Sequence, residues 1–138
     1  MPRTTAAIAT VAVLALGVAG CGSSKPLTAP EFKAKANAIC ASYTPRLAAL
    51  NPPSGTPRDQ VDVAIGKVAD LIAHEVLDIR ALKAPASMSA DVTAMLAGIA
   101  SGAATLREQR SAVLTSGTNE FAAANTKATA LGLTKCVF

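Results

Sequence analysis

The sequence has few aromatic residues: tryptophan is absent, and the 138 residues contain one tyrosine and three phenylalanines. Strands favour aromatic and β-branched side chains, whereas alanine, the commonest residue here, has the highest helix propensity. The composition therefore predicts an all-α protein. It also lacks runs of Lys and Arg interleaved with aromatic residues, so we expect no nucleic-acid partner.

Histidine is nearly absent as well, since His74 is the only one. Glu75 and Asp78 follow it with a spacing similar to the H-E-x-x-H motif of zinc proteases, but Asp78 stands where that motif has its second metal-binding histidine. Asp70 and Asp78 each lie four residues from His74, so on a helix we predict a solvated face on which the imidazole contacts acidic side chains. A metal-binding or acid–base role for these four residues is the alternative.

Other catalytic motifs are missing from the sequence. There is no G-x-S-x-G nucleophile motif and no glycine-rich loop that could hold a phosphate. Asp62 and Glu75 are the only carboxylates whose positions suggest partial burial. We therefore expect no catalysis and no cofactor, and the alternative is a metal-dependent or acid–base hydrolase that uses His74 and its acidic neighbours.

Charge is absent from residues 4–24, and Arg3 precedes this apolar run, which is the layout of a secretory leader. The leader ends in V-A-G-C at Cys21, which resembles the lipobox of bacterial lipoproteins. That resemblance implies a diacylglycerol on the Cys21 thiol and cleavage of the chain just before it. Residues 1–20 would then be a signal peptide, 21–27 a flexible tether and 28–138 the folded domain.

An uncleaved transmembrane anchor is the alternative for this leader, because about 20 apolar residues can span a bilayer. Both interpretations attach the domain to the cell membrane on its extracytoplasmic face. Loss of Arg3 with the leader would reduce the net charge from +4 to +3. This is a mild bias toward anionic lipid or an anionic envelope polymer.

Caps and apolar periodicity predict four helices. Thr28 and Glu31 form a capping box at the start of the first helix, and Pro45 is expected to kink or end it. Thr56 is expected to cap a second helix that ends before Pro85. The third covers residues 89–115, and a shorter fourth covers residues 118–131. Short connections make an up-down four-helix bundle the simplest arrangement.

The third predicted helix has no charge from Val92 to Leu106. This run is too short to span a membrane, so we predict a core helix. Arg110 follows on the same apolar face, where an unpaired charge is costly. We expect it to pair with Asp62 or Asp59, or to extend into solvent at the end of the bundle.

Cys40 lies on the first helix and Cys136 follows the fourth. A disulfide between them would tie the two ends of the domain together, and export would permit it. The alternative is a pair of free thiols with a redox or metal-binding role, although no C-x-x-C motif is present.

Two signatures lie at the ends of the domain: F-x-x-x-A-x-x-I-C, ending at Cys40, and G-L-x-x-C, ending at Cys136. Together they resemble those of small, alanine-rich lipoproteins and secreted proteins of actinobacteria. The resemblance implies a helical fold and a Cys40–Cys136 disulfide, and it implies no catalytic residue. We expect a membrane-tethered binding module for an envelope protein or an amphiphilic ligand, with Val63 and Leu77 as a contact patch if both are exposed.

Overall fold

The computed structural model describes residues 26–138, and every regular element in that range is helical. Cys21 and the whole predicted leader lie outside the described residues. The helices are α1 (Ala29–Ala48), α2 (Arg58–Ala81), α3 (Ser89–Gln109), a short α4 (Val113–Ser116) and α5 (Ala122–Ala130). A single 3₁₀ turn, Arg110–Ala112, separates α3 from α4. The prediction of an all-α, four-helix bundle is confirmed, but the third predicted helix, residues 89–115, is divided into α3 and the short α4 by this turn.

The start of α1 follows from its capping box. The Glu31 carboxylate accepts a hydrogen bond from the Thr28 amide at 2.9 Å, and the Thr28 hydroxyl accepts one from the Glu31 amide at 3.4 Å. The helix continues through Pro45 to Ala48, so the expectation of an early stop is wrong. Pro45 cannot donate to the Ala41 carbonyl, which lies on an exposed residue, but the Pro45 carbonyl accepts from the Ala49 amide at 3.1 Å and so continues the helix.

The start of α2 differs from the sequence prediction. Thr56 does not cap it, because its hydroxyl donates to the carbonyl of Pro53 at 2.7 Å. The Pro57 carbonyl instead accepts from the amides of Gln60 and Val61, both at 3.0 Å. Helix α2 therefore begins at Arg58, directly after Pro57.

Apolar side chains from α1, α2, α3 and α5 meet in one core. The spacing of these residues at three and four positions places each set on one helix face. The main members are Phe32, Ala36, Ile72, Val76, Ile79, Val92, Met95, Leu96, Ile99, Ala124, Ala128 and Leu133.

Helix α3 supplies the most apolar face of the core. Within residues 26–138, the continuous segment Ser89–Ser116 is the only helical stretch long and apolar enough to cross a membrane by length and composition. Its inward residues, including Met95 and Ile99, are almost completely buried against the other helices. Gly102 allows a close approach to α5, because a methyl group there would lie 2.5 Å from Cε1 of Phe121.

Arg110 lies where α3 ends, with its side chain exposed and its backbone in the left-handed region at φ 54°. Its guanidinium donates to the backbone carbonyl of Asp62 at 3.3 Å. The Asp62 carboxylate accepts from the amide of Ser111 at 2.8 Å, and hydrogen bonding to Ser111 lowers the pKa of Asp62. Arg110 thus extends into solvent. The Asp62 carboxylate stabilises the break between α3 and α4 and does not form an ion pair with Arg110.

The segment after α5 folds back onto α1. Gly132 ends α5 in the left-handed conformation, with φ 74°, and Cys136 then forms the predicted disulfide with Cys40 on α1. The bond closes a sequence separation of 96 residues, and both cysteines are 1% exposed. The two ends of the domain are therefore joined inside the core.

Candidate functional site

The structure separates the four candidate residues on α2. His74, Asp70 and Asp78 are exposed, whereas Glu75 is 2% exposed and points into the bundle. His74 lies on a solvated face of α2, as predicted, but within the described range no hydrogen bond or ion pair joins its imidazole to Asp70 or Asp78. The four side chains do not converge on one point, because α2 directs Glu75 inward between its exposed neighbours.

Each of the two aspartates has a partner other than His74. Asp70 forms an ion pair with Arg107 of α3 at 2.6 Å. Asp78 accepts a 2.6 Å hydrogen bond from the hydroxyl of Tyr43, and that hydrogen bond raises the pKa of Tyr43. The guanidinium of Arg46 lies over the Tyr43 ring, 4.6 Å from its centroid. These contacts hold α1, α2 and α3 together at the surface.

His74 contributes to an open cleft of about 330 Å³ between the end of α1 and the middle of α2. We call it the basic cleft, and its lining residues are Arg46, Leu50, Lys67, Asp70, Leu71 and His74. Leu50 and Leu71 are half-buried, so the floor is apolar. The rim carries two cations and an imidazole, and the single carboxylate is neutralised by Arg107. Such a lining favours an anionic ligand with an apolar part.

The two cations of the basic cleft have no carboxylate partner among the described residues, although the Arg46 guanidinium lies over the Tyr43 ring. Within residues 26–138, neither Arg46 nor Lys67 belongs to an ion pair. Lys67, Asp70, Leu71 and His74 share one face of α2 because they recur at three- and four-residue steps. That half of the cleft is visible in the sequence. The contribution of Arg46 to the cleft cannot be read from the sequence, because its position depends on how α1 packs against α2.

The basic cleft lies far from the point where the domain begins. Arg46 is in the last turn of α1, and α1 has 20 residues. At about 1.5 Å per residue, that helix spans roughly 30 Å. The cleft is therefore at the opposite end of α1 from the predicted tether.

A second group of side chains lies inside the bundle. Ligand atoms of Cys40, Glu75 and Cys136 all lie within 4.8 Å of one another, and all three residues are buried. The Oε2 atom of Glu75 has no hydrogen-bond partner among residues 26–138. Burial, and then the nearby Asp78 carboxylate, raise the pKa of Glu75 to about 7. The sequence suggested a partly buried Glu75 but gave no indication of its proximity to the cysteines.

Two asparagines hold the C-terminal segment in place. Asn37 donates to the Gly132 carbonyl and accepts from the Lys135 amide, both at 3.0 Å. Asn125 donates to the Phe138 carbonyl at 2.6 Å and accepts from the amide of the same residue at 2.9 Å. Each side-chain amide thus replaces a backbone partner. No sequence pattern marked these asparagines, because their partners are almost 100 or 13 residues away.

The expected contact patch is not continuous. Val63 and Leu77 are each 55% exposed, as predicted for the outward side of α2. Fourteen positions separate them on the helix, which corresponds to roughly 21 Å. They are two separate exposed residues, and neither lies in the basic cleft.

Comparison with known proteins gives no match: no protein-family model matches the chain, and neither a curated protein nor a solved structure matches it.

Proposed function

We propose that this protein is a membrane-anchored envelope lipoprotein whose helical domain is a non-catalytic binding module for an anionic ligand. The observation that carries the proposal is the basic cleft, in which Arg46 and Lys67 form no ion pair with any residue of the described range and lie beside an apolar floor. Charge attracts the ligand's acidic group, and the floor contacts its apolar part.

The anchor in this proposal is Cys21. The lipobox sequence supports it, and so does the pairing of the other two cysteines, which leaves Cys21 for a separate role. Two acyl chains on one residue give stable attachment, whereas a single chain is marginal. The short spacer up to residue 27 holds the start of α1 close to the membrane.

The position of the basic cleft favours a ligand from the envelope over the anchoring bilayer. The tether precedes the first turn of α1, and the cleft lies at the last. With α1 directed away from the membrane, the cleft faces the envelope space. Ligands of suitable chemistry are an acidic segment of an envelope protein and the carboxylate of an amphiphile.

Two observations support a binding role over hydrolysis. The aspartates one turn before and one turn after His74 are engaged by Arg107 and by Tyr43. A general base needs a partner that orients it and a nucleophile within hydrogen-bond reach. Neither aspartate orients the His74 imidazole in this arrangement, because each is engaged elsewhere.

The anchor is tested by the mass and location of the native protein. We expect the mature chain to begin at Cys21 and to carry a diacylglycerol, and we expect Cys21→Ser to move the protein from the membrane fraction to the soluble fraction. Mass spectrometry and cell fractionation make the measurement. A wild-type protein that keeps residues 1–20 would identify the leader as an uncleaved anchor, and an unmodified, released protein would contradict membrane attachment.

The basic cleft is tested by calorimetric titration of the Cys21→Ser protein with a medium-chain fatty acid and with an acidic peptide. We expect at least one of them to bind and Arg46→Gln/Lys67→Gln to weaken that binding about tenfold, which corresponds to about 1.4 kcal/mol. The fatty alcohol of equal length, which lacks the charge, should bind more weakly than the acid.

The matched control is Arg80→Gln/Lys83→Gln, which removes the same charge from the end of α2 and the loop after it. Its affinity should equal that of the parent protein. An equal loss in both double variants would indicate a nonspecific effect of net charge. Absence of binding to both probes would contradict the proposed ligand chemistry.

A further inference from the structure

The carboxyl group of Glu75 needs an explanation, because burial of a polar atom without a partner is unfavourable. Within residues 26–138, Glu75 is the only acidic or basic residue that is buried. Within the described range its Oε2 atom has no hydrogen-bond partner, and a carboxylate oxygen of Glu75 lies within 4.8 Å of the sulfur atoms of Cys40 and Cys136. The disulfide offers it no hydrogen, so the oxidised protein leaves this acceptor unused.

The three side chains form the donor set that suits zinc. Thiolate and carboxylate groups bind Zn²⁺ at about 2.3 Å and about 2.0–2.2 Å, and a tetrahedral ion with two thiolates places the sulfurs roughly 3.8 Å apart. The ligand atoms here already lie within 4.8 Å of one another. The buried Glu75 carboxylate, whose Oε2 atom is unpartnered among the described residues, adds a third ligand to the two that the cysteines provide.

The fold allows the two sulfurs to separate. Cys40 is fixed in the middle of α1, whereas Cys136 lies in the non-helical segment after α5. A helix residue cannot shift without breaking its backbone hydrogen bonds, but a residue in an irregular segment can adjust its torsion angles. Because Asn37 and Asn125 hold the backbone on either side of Cys136, the sulfurs separate by rotation of the Cys136 side chain and not by displacement of the segment.

We propose that Cys40, Glu75 and Cys136 form a binding site for a thiophilic divalent cation of the zinc class, and that the disulfide closes this site. A dithiol reductant supplies the two electrons and two protons that convert the disulfide into two thiols, and it is itself oxidised to a disulfide. The entering ion displaces to solvent both thiol protons, and the Glu75 proton where that carboxyl is protonated, and it accepts an electron pair from each sulfur and from the Glu75 carboxylate. Solvent supplies the fourth ligand.

Disulfide and metal are mutually exclusive states of one site in this proposal. Oxidation joins the sulfurs, removes their charge and releases the ion, whereas reduction restores the thiolates. The domain then has an alternative link between α1 and the C-terminal segment under reducing conditions. This inference does not depend on the basic cleft or on the lipid anchor.

The test is a titration of the full chain with Co²⁺, which reports tetrahedral thiolate coordination by its absorption. The Cys21→Ser variant is reduced with a phosphine under anaerobic conditions, so that only Cys40 and Cys136 remain as thiols. We expect one Co²⁺ per chain, thiolate-to-cobalt charge-transfer bands and displacement of Co²⁺ by Zn²⁺. The disulfide-bonded protein should show none of these signals.

Glu75→Gln tests the carboxylate, since glutamine keeps the shape but binds the ion weakly. We expect its affinity for Co²⁺ to fall about tenfold or more. Glu108→Gln, at an exposed position on α3, should leave the affinity unchanged. An equal affinity in all three proteins would contradict the assignment of Glu75 as a ligand.

The test remains decisive where reduction unfolds the domain. If the reduced chain loses its helical circular dichroism, the proposal requires Zn²⁺ to restore it, because the folding of such sites depends on the metal. A reduced chain that stays unfolded with Zn²⁺, or one that stays folded and takes up no ion, would overturn the proposal.

Discussion

Replacing Cys40 and Cys136 together with alanine is expected to lower the free energy of unfolding by about 4–5 kcal/mol. The disulfide closes a sequence separation of 96 residues, and so it removes much of the conformational freedom of the unfolded chain. Because net stabilities of domains are about 5–15 kcal/mol, the loss is a large share of the total. Four of the buried core residues are alanines (Ala36, Ala103, Ala124 and Ala128), which bury little apolar surface, so packing alone does not compensate for the loss.

Urea unfolding followed by helical circular dichroism measures this loss. The disulfide-bonded protein should respond to a phosphine reductant, whereas the double alanine variant should not. Metal must be removed from both samples with a chelator, since the reduced cysteines are proposed ligands. A decrease of less than about 1 kcal/mol would show that the disulfide contributes little to the stability of this bundle.

Glu75→Gln is expected to stabilise the disulfide-bonded, metal-free protein by about 3 kcal/mol at pH 8. The folded pKa of Glu75 is about 7 against an ordinary value of 4.5, mainly because of burial. The folded state therefore holds the proton more tightly than the unfolded state. Stability from this group is fully present below pH 4.5, declines as the pH rises toward 7 and is then constant.

The sign of this pH dependence distinguishes Glu75 from the exposed acids. A hydrogen bond with Thr28 lowers the pKa of Glu31, and hydrogen bonds with Ser111 lower the pKa of Asp62. The stability that these two carboxylates contribute is therefore lost when the pH falls below about 4. Between pH 4.5 and 7 the decline in the free energy of unfolding is caused by ionisation of Glu75, whose ionised form is also near the carboxylate of Asp78.

Urea unfolding at a series of pH values from 4.5 to 8 checks the prediction. The parent protein and Glu108→Gln should lose stability across this range, and Glu75→Gln should remain nearly level. A parent protein whose stability rises over the same interval would show that Glu75 is ionised in the folded state at low pH.

Local signals in the sequence identified much of the fold. The Thr28–Glu31 capping box involves residues three positions apart, and Gly117 and Gly132 both adopt the left-handed conformation expected at helix ends. Thr56 was misassigned because its hydroxyl had a competing acceptor in the preceding turn, the Pro53 carbonyl. The shorter fourth helix is predicted to begin at Thr118, but α5 begins at Ala122.

The candidate sites depended on contacts that no local pattern encodes. His74 and Lys67 could be placed on one helix face, but Arg46 reaches the basic cleft from another helix. The meeting of Glu75 with the cysteines requires a specific rotation of α2 and the return of the C-terminal segment to α1. These are properties of tertiary packing, which sequence periodicity constrains without determining.

The two hydrogen bonds between the Asn125 side chain and the Phe138 backbone have a practical consequence for labelling this protein. The Phe138 carbonyl and amide are both bonded to Asn125, and its ring packs at 5.0 Å from that of Phe121. A fluorescent reporter fused there would compete with these bonds and strain the neighbouring segment that holds Cys136. The exposed turn at Gly55, where nothing lies within 4 Å of an added methyl group, is the better place for an inserted tag.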